Sequence, residues 1–437
     1  MTSREDPESS PASAKGAVAG WFGDFSFVFG VRILSSAFTF LTIVLVGRFL
    51  GRAAYGELVV LLSLMKVAAE LVGPALDTAL VRFGADAAKG ERDGALPYYS
   101  YILRLKLLLA GAILLLGIVC AVPLAHLLSP RGTDGSFHPA IVALAFVGAS
   151  ATVLWAYAQG CFQAQQRFGL YAGLELATAL LRLALVAMLI VSGNAYVLYL
   201  MAAYAVAPAV SALAVWRRTP ARIPRRVNVS ASIREDVLRF AKWTLAACLL
   251  TSLFQRVDVF LLVFWGIPAE TLGDYGAAVQ LTLAGDLIIL TLFNVLLPKT
   301  SGLTRAGELR EFLRRFRAPA LLSVLAVIPI IALSGPLVGL TFGPAFVDTG
   351  ELFSILLVGA VFAVGCAPAG AALYGMGHTR SIAVLEFIKL LCLVVSGSIG
   401  AIYAGAYGMA WAVSLTKGTL GIATYATAYR ASGEGTR

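Results

Sequence analysis

The chain of 437 residues is 59% hydrophobic and only 13% charged, with a mean hydropathy of +0.84. Such values exclude a water-soluble globular domain and indicate a polytopic membrane protein built of helices. A net charge of +10 would suggest nucleic acid in a soluble protein, but in a membrane chain the place of each charge decides its meaning, and no nucleic-acid partner is expected.

Residues 1–22 form a polar tail, expected to be disordered and cytoplasmic. Glu5, Asp6 and Glu8 do not suit a signal-peptide n-region, so the first apolar run is expected to stay as a membrane helix. Runs of about 20 apolar residues predict an N-lobe over 23–216, with spans near 25–49, 56–81, 102–127, 139–161, 171–192 and 196–216. Span 1 carries Arg32, roughly 12 Å in from its cytoplasmic end at 1.5 Å per residue. Span 2 carries Lys66, Glu70 and Asp77 close to one helical face, interrupted by Gly73-Pro74. Proline removes a backbone hydrogen bond, so this span is expected to bend there. Span 5 carries Glu175 and Arg182 two turns apart.

A basic linker, 217–239, holds Arg217-Arg218 and Arg225-Arg226 and reads as an orientation signal with anionic lipid headgroups within reach. A C-lobe over 240–429 follows, with spans near 240–265, 274–297, 318–341, 352–374, 381–403 and 406–428, and a short tail at 430–437. Arg256 and Asp258 lie in the middle of span 7, Asp286 in span 8, Glu386 and Lys389 in span 11, and Lys417 in span 12. Glu175 and Glu386 are placed in the first turns of their helices, where a carboxylate stabilises the N-terminus.

Most of the 34 basic residues fall on one side of this twelve-span plan, Arg104 and Lys106 among them. By the positive-inside bias that side is cytoplasmic and holds both termini. Arg48, Arg52 and Arg131 fall on the other side. The halves share landmarks: Tyr55-Gly56 opens span 2 and Tyr275-Gly276 opens span 8, while Leu174-Glu175 and Leu385-Glu386 open spans 5 and 11. Two related six-helix lobes around a central cavity are therefore expected.

Arg32, Lys66, Arg182, Arg256, Lys389 and Lys417 remain inside apolar runs. A cation near the bilayer centre is disfavoured by roughly 3 kcal/mol, so it normally faces a polar cavity or a partner. Six of them suggest a cavity for an anion, and arginine suits phosphate because its planar fork donates two parallel hydrogen bonds. Local pairing is the competing reading for Lys66 with Glu70, and for Arg256 with Asp258 or Asp286. Deep carboxylates can also bind and release a proton or Na+ as access alternates, which makes Asp258, Asp286, Glu70 and Asp77 candidates for ion coupling. No GxxxxGK[ST] or HExxH motif occurs, the three histidines are scattered, and Cys120, Cys161, Cys248, Cys366 and Cys392 form no CxxC pair. No metal or cofactor is expected.

The stretch Arg32-Ile33-Leu34-Ser35, Arg48-Phe49-Leu50-Gly51, Tyr55-Gly56 and Gly73-Pro74-Ala75-Leu76-Asp77-Thr78-Ala79-Leu80-Val81-Arg82 resembles the amino-terminal signature of polysaccharide flippases, the Wzx-type members of the multidrug/oligosaccharidyl-lipid/polysaccharide exporter superfamily. The resemblance implies a bacterial inner-membrane flippase, not an enzyme. It would move an undecaprenyl-diphosphate-linked oligosaccharide to the outer leaflet by rocking two lobes around a cationic cavity, drawing on an ion gradient. It implies that the diphosphate contacts Arg32 and Arg256, supported by Lys66, Arg182, Lys389 and Lys417. The sugar would meet Trp155, Tyr157, Gln159 and Gln163 of span 4, although those residues also fit an interfacial belt. Membrane lipids, a glycan polymerase and chain-length proteins are the partners it implies. The rival readings are a multidrug and toxin exporter, which would need an acidic lining, and a membrane glycan polymerase or ligase, which would need a large outer loop.

Overall fold

A computed structural model describes residues 11–71, 73–90, 92–129, 137–220, 245–282 except 247, 327–347, 349–375 and 379–434, with isolated helical residues at 235, 311, 312, 314, 315 and 325. Among the described residues every regular element is a helix. The first half holds α1 (Pro11–Leu50), α2 (Arg52–Glu70), α3 (Gly73–Gly90), α4 (Arg92–Leu128), α5 (Pro139–Ala164), α6 (Phe168–Val191) and α7 (Val197–Val215). A 3-10 turn, Trp216–Arg218, follows. The second half holds α8 (Val257–Phe264), α9 (Ser334–Phe342), α10 (Thr349–Gly375) and α11 (Thr379–Glu434).

Local chemistry sets the boundaries. Gly51, at φ 78°, turns the corner between α1 and α2, a backbone region that costs a side chain but not glycine. The bend expected at Gly73-Pro74 is a break, with α2 and α3 inclined by 42°, because Pro74 has no N–H to continue the ladder of α2. His138 caps α5 by accepting from the Ala140 N–H at 3.3 Å, with Pro139 at the first helical position, where its missing donor would be unpaired anyway. Spans 11 and 12 are two arms of α11 that part at Ala404 and Gly405 (φ 58°). Gly400 and Gly408 face each other across that break so closely that a Cβ on either would strike the other's carbonyl. Helix α1 starts at Pro11, well ahead of its apolar run. The run marks where the helix enters lipid rather than where it begins.

Among the described residues seven helices are long and apolar enough to cross a membrane, or eight with the bent α2–α3 pair. Much of expected span 8, the opening part of expected span 9, and the linker from 221 to 234 lie outside the described residues. Helix α1 packs on α6, α4 on α3 and α5, and α5 on α2 and α7; in the second half α10 and α8 pack on α11. Outward-facing Leu108, Leu115 and Val119 of α4, and Ile399 and Leu415 of α11, are exposed. A belt of this kind is suited to lipid tails rather than water.

The two halves meet where α1 touches α9 and α2 touches α8. The repeat landmarks lie on this seam. A Cβ on Gly56 would strike the carbonyl of Ala269, and one on Gly276 would press into Val59. The two Tyr-Gly pairs therefore supply flat backbone surfaces where the helices approach.

Candidate functional site

Polar groups gather on the first-half face of this seam. Arg182 of α6 lays its guanidinium 4.9 Å from the centroid of the Tyr204 ring of α7, a cation–π contact that partly offsets the loss of water. Its Nε has no hydrogen-bond partner among the described residues. Tyr204 and Tyr55 of α2 are buried, and Tyr55 lies within electrostatic reach of both Tyr204 and Arg256. The Tyr55 hydroxyl and the Arg256 Nε are likewise without a hydrogen-bond partner among the described residues. Arg182 and Tyr204 are thus in direct contact, and Tyr55 lies within electrostatic reach of Tyr204 and Arg256.

On the second-half face, span 7 breaks at Gln255 and Arg256, and α8 begins at Val257. Gln255 accepts a hydrogen bond from Lys66 Nζ at 3.0 Å, and Lys66 also stands 3.8 Å from Glu70. Asp258 is buried. It accepts from the Val259 N–H at 2.8 Å and from the Tyr275 hydroxyl at 2.6 Å, while the charges of Arg256 and Lys417 both act on it. Lys66, Arg182, Arg256 and Lys417 therefore belong to one neighbourhood, and Asp258 is its fixed counter-charge. A carboxylate held by two donors is anchored rather than free to swing to another partner.

The other candidates have close partners of their own. Arg32 is 3.8 Å from Glu175, and Lys389 is 3.2 Å from Glu386 and 4.0 Å from the Phe254 ring centroid. Neither glutamate is in a first helical turn, since α6 starts at Phe168 and α11 at Thr379. The expectation of helix caps is corrected accordingly: both glutamates act as partners of cations. Trp155 donates to Thr178 Oγ1 at 2.9 Å. Tyr157 is fully buried and donates to the Tyr99 carbonyl at 3.3 Å, so both rings serve packing within the first half. Gln163 is exposed and Gln159 half-buried. Asp286 lies outside the described residues.

Lys106 corrects the sequence reading most sharply. Assigned to the cytoplasmic basic group, it is in fact fully buried, with Nζ 2.5 Å from Asp77 and 3.5 Å from the Val153 carbonyl. Asp77 thus anchors α3 to α4. Lys106 sits only a few residues inside its run, so no periodicity distinguishes it from an orientation charge. Tyr204 and Gln255 gave no sequence signal either, because one is an aromatic in an apolar run and the other is uncharged.

Residues 23–303 match the family described as polysaccharide biosynthesis protein. A comparison with curated proteins finds no significant match. Among solved structures, the chain is similar to the inward-facing conformation of a multidrug resistance MATE family transporter of the MOP superfamily, at TM-score 0.75 and 17% identity over 92% of this chain and 95% of that one. It is similar to the lipid II flippase MurJ in an inward closed conformation, at TM-score 0.73 and 13% identity over 92% and 87%. An outward-facing conformation of a MATE family transporter gives TM-score 0.65 at 18% identity over 94% of each chain. At these identities the likeness establishes the fold, that of membrane transporters of this superfamily.

Proposed function

The chain belongs to the polysaccharide biosynthesis protein family, and from that membership together with its transporter fold we propose that it is a flippase. On this reading it carries an undecaprenyl-diphosphate-linked oligosaccharide from the cytoplasmic to the outer leaflet of the bacterial inner membrane. The halves are 23–216 and 240–429, joined by the basic linker 217–239, with both termini cytoplasmic. The site is a cavity between them, and the protein is a transporter rather than an enzyme.

The observation that carries the reading is the group of unsatisfied donors on the seam. Arg182 and Arg256 keep Nε atoms without a hydrogen-bond partner among the described residues, and the Tyr55 hydroxyl is in the same state. Buried donors left this way cost free energy. A diphosphate offers enough acceptor oxygens for all three, and guanidinium donates to it in a bidentate fork. An organic cation would meet Arg182, Arg256 and Lys417 with like charge, which weakens the drug-exporter alternative.

Reconstituted protein tested with a fluorescent undecaprenyl-diphosphate oligosaccharide should lose flipping on Arg256→Ala and on Arg182→Ala. Each charge-assisted bond removed is worth ~1.5–3 kcal/mol, a fall of roughly 10- to 150-fold at 1.4 kcal/mol per decade. Undiminished flipping in both variants would sink the proposal. Arg32→Ala should have a smaller effect, because Glu175 already engages that guanidinium.

A further inference from the structure

We infer that Arg48 and Arg52 form a latch that holds the two halves closed at the end of the bundle facing away from the basic segments, and that it must open before a substrate can leave on that side. The direction of release rests on the flippase reading; the latch itself rests on contacts between the halves.

Both arginines flank the corner at Gly51, in a segment where the positive-inside bias gives no reason for a cation. Arg52 donates from Nε to Asp274 Oδ1 at 2.8 Å and from Nη2 to Oδ2, the planar fork meeting a carboxylate edge-on. Thr349, at the start of α10, donates to the same Oδ1 at 3.0 Å and fixes the carboxylate for its partner. Arg48 donates from Nε to the Thr341 carbonyl at 2.6 Å and from Nη2 to the Leu340 carbonyl. Those carbonyls belong to the last turn of α9, whose C-terminal oxygens lack partners within the helix and carry partial negative charge. One corner of the first half thus grips the second at two places, Asp274 and the end of α9, with Thr349 of α10 bracing the carboxylate.

The seam below is shaped to part. Glycine faces it from both halves: a Cβ on Gly56 would strike Ala269, and one on Gly273 would strike the Arg52 carbonyl. With no side chains interlocked at these points, separating the helices requires no repacking there. The apolar seal is a trio of rings, with Tyr55 6.0 Å from both Phe342 and Phe346. Because Arg52 and Asp274 side chains are 32% and 10% exposed, water can replace their bonds once the halves begin to move.

Val59 is buried against Gly276 beneath the latch and serves as a reporter. Full-length protein carrying Val59→Cys is exposed in spheroplasts to a membrane-impermeant maleimide, with protein lacking that cysteine as background. Adding Arg52→Ala or Asp274→Ala should speed labelling at least tenfold, and the exchanged pair Arg52→Asp with Asp274→Arg should restore slow labelling. Should either alanine variant fail to accumulate, Arg52→Lys and Thr349→Val carry the same measurement with an expected intermediate rate. Unchanged labelling in the single variants overturns the latch, as does an exchanged pair that labels as fast as they do. Acceleration seen only in inside-out vesicles overturns its sidedness. Labelling requires no substrate, so a response to the latch variants alongside absent flipping in every variant would refute the transport reading while leaving the latch standing.

Discussion

Replacing Lys106 by methionine tests whether the buried pair with Asp77 anchors α3 to α4. Lys106 is fully buried and Asp77 keeps a side-chain exposure of 24%, so removing the ammonium leaves a carboxylate that only partial hydration can relieve. Removing one partner of a buried pair typically costs ~3–5 kcal/mol; the partial exposure of Asp77 puts the expectation near ~3 kcal/mol. The shift of the unfolding midpoint per 1 kcal/mol shrinks as the unfolding unit grows, so in this chain of 437 residues the detergent-solubilised variant should melt a few degrees lower. The double variant Lys106→Met with Asp77→Leu leaves no stranded charge and should recover most of the loss, which a double-mutant cycle reads as a coupling of ~2 kcal/mol or more. A single variant within about 1 °C of the native protein, or a double variant no better than the single, would refute the anchoring role.

Lys389→Ala should behave as a structural change. Its contacts with Glu386 and Phe254 are worth about 1 kcal/mol together, and flipping should fall by no more than about twofold; a tenfold loss would restore Lys389 to the substrate site. At Gly405, φ 58° lies where an L side chain costs ~1–2 kcal/mol. Gly405→Ala should therefore lower the melting midpoint by a few degrees, with Gly405→Asn milder, and an unshifted midpoint for alanine would show that the break relaxes to another geometry.

The membrane spans were legible because insertion into lipid is a local requirement: some 20 apolar residues satisfy it whatever lies beside them. The break at Gly73-Pro74 was legible for a similar reason, since proline acts on its own backbone. Helix starts were less so. Glu175 and Glu386 were placed in first turns because the apolar runs were taken as the helices, whereas α6 and α11 begin several residues earlier in sequence that lipid does not constrain.

By itself, then, the sequence determined an all-helical membrane chain, the inventory of cations within it and a repeated pair of Tyr-Gly landmarks. Only the tertiary structure decided which charges are engaged and by what. It spent Lys106 on Asp77, Arg32 on Glu175 and Lys389 on Glu386, and it set Arg182 and Arg256 around Tyr55 and Tyr204. It also joined Arg52 to Asp274 across 222 residues of chain. The physical reason is that a charge's cost and use in a membrane depend on its neighbours within a few ångströms, and those neighbours come from helices distant in sequence that meet only when the halves pack.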